Sequence, residues 1–143
     1  MPLLNVRLDG LDALSLGVKF LARGAQTGLR LGVDEAAGIM EAEEKAAVPV
    51  VSGRLRDSVQ TQNILDTPEK QVRAIAPDTP YARRVNNGFI GPDSLGRIYH
   101  QAGRHYVEAA FEVGRGRSEQ AIKDGVYSGL DEALNASSMK ARR

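Results

Sequence analysis

Residues 11–48 read LDALSLGVKFLARGAQTGLRLGVDEAAGIMEAEEKAAV, and the fold turns on this stretch. Leu14, Val18, Leu21, Ala25, Leu29, Val33, Ala36 (or Ala37) and Met40 recur at steps of three or four, and Ala47 rejoins two turns later. That is the stripe of an amphipathic helix with a 3.6-residue period. No proline interrupts it, and Pro49 ends it by disfavouring the helical conformation at Val48. Gly17, Gly24, Gly28, Gly32 and Gly38 thin the segment, each costing up to ~1 kcal/mol relative to Ala inside a helix. One long helix and two helices broken near residues 24–32 both fit this pattern, and no local signal gives the five glycines a role. A single helix would run roughly 55 Å and overhang the rest of so short a chain. A protein that packs against copies of itself can bury such an overhang.

On the N-terminal side, residues 3–8 (LLNVRL) alternate apolar and polar, which predicts a short strand ended by the Asp9-Gly10 turn. On the C-terminal side, Ser52 is placed to cap a helical turn through Arg54, Leu55 and Arg56. Residues 58–65 (SVQTQNIL) and 70–76 (KQVRAIA) alternate with period two around Asp66-Thr67-Pro68-Glu69, the pattern of a β-hairpin. A turn at residues 77–80 leads to a short helix over 81–85, with Tyr81, Ala82 and Val85 on one side. Residues 86–96 (NNGFIGPDSLG) are rich in turn formers and predict an exposed loop, with Ile98 and Tyr99 beginning another strand. Val107, Ala110 and Phe111 suggest a helix start that Gly114-Arg-Gly-Arg117 interrupts. Ser118 then caps a second run striped by Ala121, Ile122, Gly125, Val126, Gly129, Leu130, Ala133 and Leu134.

The expected fold is α+β: a long N-terminal helix, a small antiparallel β-sheet and a C-terminal helix packed on the sheet. Residues 1–143 form a single domain. Within it, 1–48 hold the N-terminal strand and long helix, 49–113 the sheet with an exposed 86–98 loop, 114–136 the C-terminal helix, and 137–143 a frayed tail.

Composition narrows the function. With 143 residues and 42% hydrophobic content, one modest core is possible, and no run reaches the apolar length of a membrane helix. MPLLNVRLDG has neither a positive leader region nor a continuous apolar stretch, so it does not read as a secretory signal. The absence of cysteine removes disulfides, thiol catalysis and Cys-ligated metal sites. A net charge of +1 argues against a strongly electrostatic nucleic-acid binder. A soluble, intracellularly made, non-redox domain is expected. Fourteen of the 19 basic residues are Arg, a bias that suits protein interfaces and equally a GC-rich codon preference.

Catalytic signals are sparse. His100, His105 and Glu108 are the residues that could hold a metal, but their spacing matches no helical ligand motif. Ser52 and Ser94 lack a nucleophile elbow, and no phosphate-binding glycine loop occurs. Asp34, Glu35, Glu41, Glu43 and Glu44 read as a solvated helix face. Arg83-Arg84, the Gly114–Arg117 segment and Lys140–Arg143 are basic clusters without interleaved aromatics. They support, as an alternative function, a small nucleic-acid-binding or regulatory protein.

Residues 46–59, AAVPVVSGRLRDSV, carry a more specific pattern. A helix ends in A-x-x-P-V, followed by Ser52, Gly53, Leu55, Arg56, Ser58 and Val59 in order. A second block comprises Tyr81, Ala82, Val85 and Gly88, and a loose third comprises Tyr106, Ala109, Ala110 and Phe111. Over roughly residues 36–135 the chain resembles the minor tail, or tail-completion and head–tail joining (neck), proteins of long-tailed bacteriophages and prophages. Asn86 stands where that pattern usually has an acid, and Gly103-Arg104-His105 replaces its usual proline-containing approach to the third block.

The resemblance implies a structural virion component rather than an enzyme, without cofactor or metal. Copies would form a homo-oligomeric ring, a hexamer or dodecamer, at the neck or upper tail, assembled in the host bacterial cytoplasm. The ring would join phage connector or head-completion proteins to tail-terminator or tail-tube proteins, with DNA only in transit and no membrane. Arg54 and Arg56 could pair with an acid on a neighbouring copy, or Arg56 could cap the end of the long helix. With Tyr81, Arg83, Arg84, Phe89 and Ile90 they make up the candidate subunit-interface residues.

Overall fold

The structure is a computed structural model that describes residues 10–141. The strand expected over residues 3–8 lies outside them. The fold is α+β, with two long helices, two short ones and two antiparallel hairpins.

Helix α1 (Leu11–Ala47) is one unbroken helix, and α4 (Tyr106–Ala141) runs antiparallel along it. The glycines explain the pairing. Gly24, Gly28 and Gly32 of α1 lie four residues apart, and so do Gly125 and Gly129 of α4. Gly24 faces Gly129 and Ala133, Gly28 faces Gly125, and Gly32 faces Ala121 and Ile122. A Cβ on Gly32 would lie 2.8 Å from the Ile122 Cα, and one on Gly125 would lie 2.6 Å from the Gly28 carbonyl oxygen. Small residues in these i±4 rows let the two backbones touch, which larger side chains would prevent. The seam therefore differs from the expected stripe. Leu14 and Val18 are exposed, and Leu21, Ala25, Leu29 and Val33 flank the glycine row half-buried.

Two boundaries of α4 also differ from expectation. The Gly114–Arg117 segment stays helical, because the α1 contact outweighs the low helix propensity of glycine. A Cβ at Gly114 would lie 2.6 Å from Met40 Sδ. Ser118 is therefore a mid-helix residue rather than a cap. It is buried, and its hydroxyl donates across the seam to the Ala36 carbonyl at 3.3 Å. The 137–141 segment continues the helix instead of fraying.

Pro49 ends α1 as expected, with Val48 in an extended conformation. Helix α2 (Arg54–Asp57) follows, and its N-cap is Gly53 at φ 80 rather than Ser52. Strands β1 (Val59–Asp66) and β2 (Gln71–Pro77) pair antiparallel, with a bulge that leaves Ile64 without a partner in the register. Two polar clamps fix this hairpin to α1. Glu41 accepts from the Thr61 amide at 2.9 Å and its hydroxyl at 2.7 Å. Arg73, with a side chain 6% exposed, donates to Asp34 of α1 at 2.7 Å and to Asn63 and the Leu65 carbonyl of β1. Ser118 and Ile122 of α4 share a groove with Val72 and Ile75 of β2.

Helix α3 (Ala82–Asn87) leads directly into β3 (Gly88–Pro92), which pairs with β4 (Ile98–Ala102). The expected 86–98 loop is thus mostly a second hairpin. Its turn is tied by Asp93, which accepts from the Leu95 and Arg97 amides and from the Arg97 guanidinium. Val48, Leu55, Val59, Ala82 and Tyr106 form the buried core where α1, α2, β1, α3 and α4 meet, with Ala47, Ile75 and Val85 packed against it. Four of these core residues, Leu55, Val59, Ala82 and Tyr106, are named positions of the quoted sequence blocks.

Candidate functional site

Two of the three possible metal ligands are neighbours, but they do not make a metal site. His105 Nδ1 lies 3.8 Å from Glu108 Oε1, and among the described residues no three His, Cys, Asp or Glu side chains are placed to hold a metal ion. Glu108 instead belongs to the start of α4. Asn86, which is buried, accepts the Val107 amide at 3.1 Å through its Oδ1 and donates to Glu108 through its Nδ2 at 3.1 Å. Glu108's own backbone N–H and the Asn86 amide hold its carboxyl below the ordinary value. An amide serves both contacts at position 86, whereas an acid would set two carboxylates together. Gly103 permits the close approach beside it, since a Cβ there would lie 2.6 Å from the Asn86 carbonyl oxygen.

The acidic residues of α1 are not one solvated face. Glu41 and Asp34 clamp the first hairpin, Glu43 pairs with Arg117 of α4, and Glu44 is buried at 4% exposure. Burial, and next the charge of Glu41, push the Glu44 carboxyl above its ordinary value. Its Oε1 has no hydrogen-bond partner among the described residues.

The expected interface residues gather around α2, α3 and the second hairpin. Arg56 pairs with the neighbouring Asp57 at 2.9 Å and does not cap α1. Arg54 and Arg83 are exposed. Arg84 lies over the Phe89 ring at 4.2 Å and the Tyr99 ring at 5.1 Å, and donates to Gln101 at 3.0 Å. This cation–π contact stiffens the base of the hairpin from one face. Ile90 lies on the opposite face.

Two complementary features emerge. The first is an arm: β3 and β4 contact α3 but project from the remainder of the fold. Ile90, opposite His100, and Ile98, opposite Pro92, lie on the same face of this arm two pairs apart, and Leu95 is at its tip with 73% exposure. The second is a groove of about 210 Å³ between α2, α3 and the base of β4. Pro49, Val51, Leu55, Tyr81 and Val85 supply its apolar lining, and Val51 is 99% exposed. Tyr81 and Ile90 had individual sequence signals and Leu95 and Ile98 fell within the exposed 86–98 segment, a candidate for contacts between proteins, but Val51 had no signal as an interface residue. The strand alternation of the arm was masked by Gly91, Pro92 and Gly96, which read as loop.

No protein-family model, curated protein or solved structure matches this chain. No described helix is long and apolar enough to cross a membrane.

Proposed function

We propose that this chain is a structural component of a tailed-phage particle, forming a homo-oligomeric ring at the head–tail junction. The ring joins the connector or head-completion layer to the tail and leaves a channel for DNA. Its motif resemblance supports the family reading, and the exposed apolar side chains among the described residues supply the physical support. Leu11, Leu14, Leu16 and Val18 are exposed on α1, and Ile90, Leu95 and Ile98 on the arm. A ring subunit has two different contact faces, and these two apolar groups lie on separate parts of the fold.

Gold-labelled antibodies on intact particles test the reading. Label confined to the neck is expected. Label elsewhere on the particle, or a protein absent from particles that binds duplex DNA with a steep salt dependence, would overturn it and favour the nucleic-acid-binding alternative.

A further inference from the structure

We propose that the β3–β4 arm of one copy docks, tip first, in the α2–α3 groove of the next copy, a contact that rests on the ring reading and specifies its interface. The arm and groove differ in shape but agree in chemistry. Leu95, Ile90 and Ile98 are exposed on the arm, and Val51, Tyr81 and Val85 line the groove. Charge permits the insertion. Asp93 and Arg97, the charged side chains at the tip, neutralise each other at 2.8 Å, so the tip brings no net charge into a groove whose one charged lining residue is Arg104.

The arm does not serve its own groove. Gln101 and Arg104, at the base of the arm, line that groove, and β4 places the tip about 17 Å farther out at ~3.3 Å per residue. A second copy is the occupant this reach leaves, because every copy presents Leu95, Ile90 and Ile98 exposed on an arm that cannot cover its own groove. Because the contact joins unlike surfaces, each copy retains one free arm and one free groove. Such head-to-tail contacts close into a ring when the rotation permits.

The cysteine-free sequence gives a background-free test. Leu95→Cys and Val51→Cys fall at exposed positions, and unchanged far-UV circular dichroism verifies that each variant folds. Under a mild oxidant the two single variants, mixed, should give a cross-linked dimer, at least tenfold more than either alone. The double variant should give a ladder of cross-linked species that stops at the ring's copy number. Equal cross-linking by Leu95→Cys alone would show an arm-to-arm contact and overturn the proposal. If the wild-type chain is oligomeric and the mixed variants do not cross-link, the arm contact fails and the ring reading stands. An open-ended ladder supports the contact and removes the ring.

Discussion

Gly28 and Gly125 meet backbone to backbone, with no room for a side chain on either. A Cβ on Gly125 would lie 2.6 Å from the Gly28 carbonyl oxygen and 2.8 Å from the Gly32 nitrogen. Gly125→Ala should therefore lower stability by about 1–3 kcal/mol through overpacking, despite a helix-propensity gain of up to ~1 kcal/mol. Gly38, on the same α1, has open space around its Cβ position. Gly38→Ala should raise stability by up to ~1 kcal/mol. Urea unfolding reads both changes, and the same sign for the two would refute the tight seam.

Glu44 sets a pH dependence of definite sign. The unfolded carboxyl releases its proton near 4.5, while burial keeps the folded one protonated to higher pH. Its contribution to stability is full below the unfolded value and is lost as pH rises through the folded one. Glu41 acts oppositely. Hydrogen bonds from Lys45 and then Thr61 lower its folded value, so its contribution is present above 4.5 and is lost as pH falls through that lower value. Glu44→Gln should gain stability relative to wild type between pH 4 and pH 8. A pH-independent difference in urea midpoint would count against this assignment.

Arg73 ties strand to helix through Asp34, Asn63 and the Leu65 carbonyl. Lysine retains the charge but loses the planar fork that reaches these acceptors together. Arg73→Lys should cost about 1–2 kcal/mol. Hydrogen exchange should quicken in β1 and β2 while the α1–α4 seam stays protected. Uniform loss of protection would mean that the hairpin is not held locally by this side chain.

At the start of α4, Asn86→Asp would place a second carboxylate against Glu108, where the amide now donates at 3.1 Å. Stability should fall at pH 7 and recover in acid, as the new pair takes up a proton. In an NMR titration Glu108 should shift upward from its present lowered value. An unchanged Glu108 titration would argue against the Asn86 contact.

The two long helices show how far local patterns reach. Pro49 placed the end of α1, the apolar period of residues 11–48 left one helix and two equally open, and Leu55, a position of the 46–59 pattern, lies in the core. The seam was hidden because a glycine row adds nothing to hydrophobic periodicity. The four-residue spacing of Gly24, Gly28 and Gly32 acquires meaning only when Gly125 and Gly129 lie opposite. In α4, packing against α1 overrode the break suggested by Gly114 and Gly116. At the candidate site, Tyr81 and Ile90 stood out in sequence and Leu95 only as part of the exposed 86–98 segment, whereas Val51 did not. A single exposed apolar residue has no periodic signature, and its neighbours across a groove or turn are supplied by the tertiary fold.

The glycine row has one further consequence. Its rungs repeat every four residues, so sliding α4 by one rung, about 6 Å, would again set Gly125 or Gly129 against a glycine of α1. The rungs hold the helices close without distinguishing one alignment from the next. Alignment is fixed by unlike contacts nearer the sheets: the Ser118 hydroxyl on Ala36, Arg117 on Glu43, and Tyr106 seated in the core with its hydroxyl at the Ala82 carbonyl. The paired helices thus behave as a toothed rack set against a stop at one end. Loosening that stop would let them translate before it let them part.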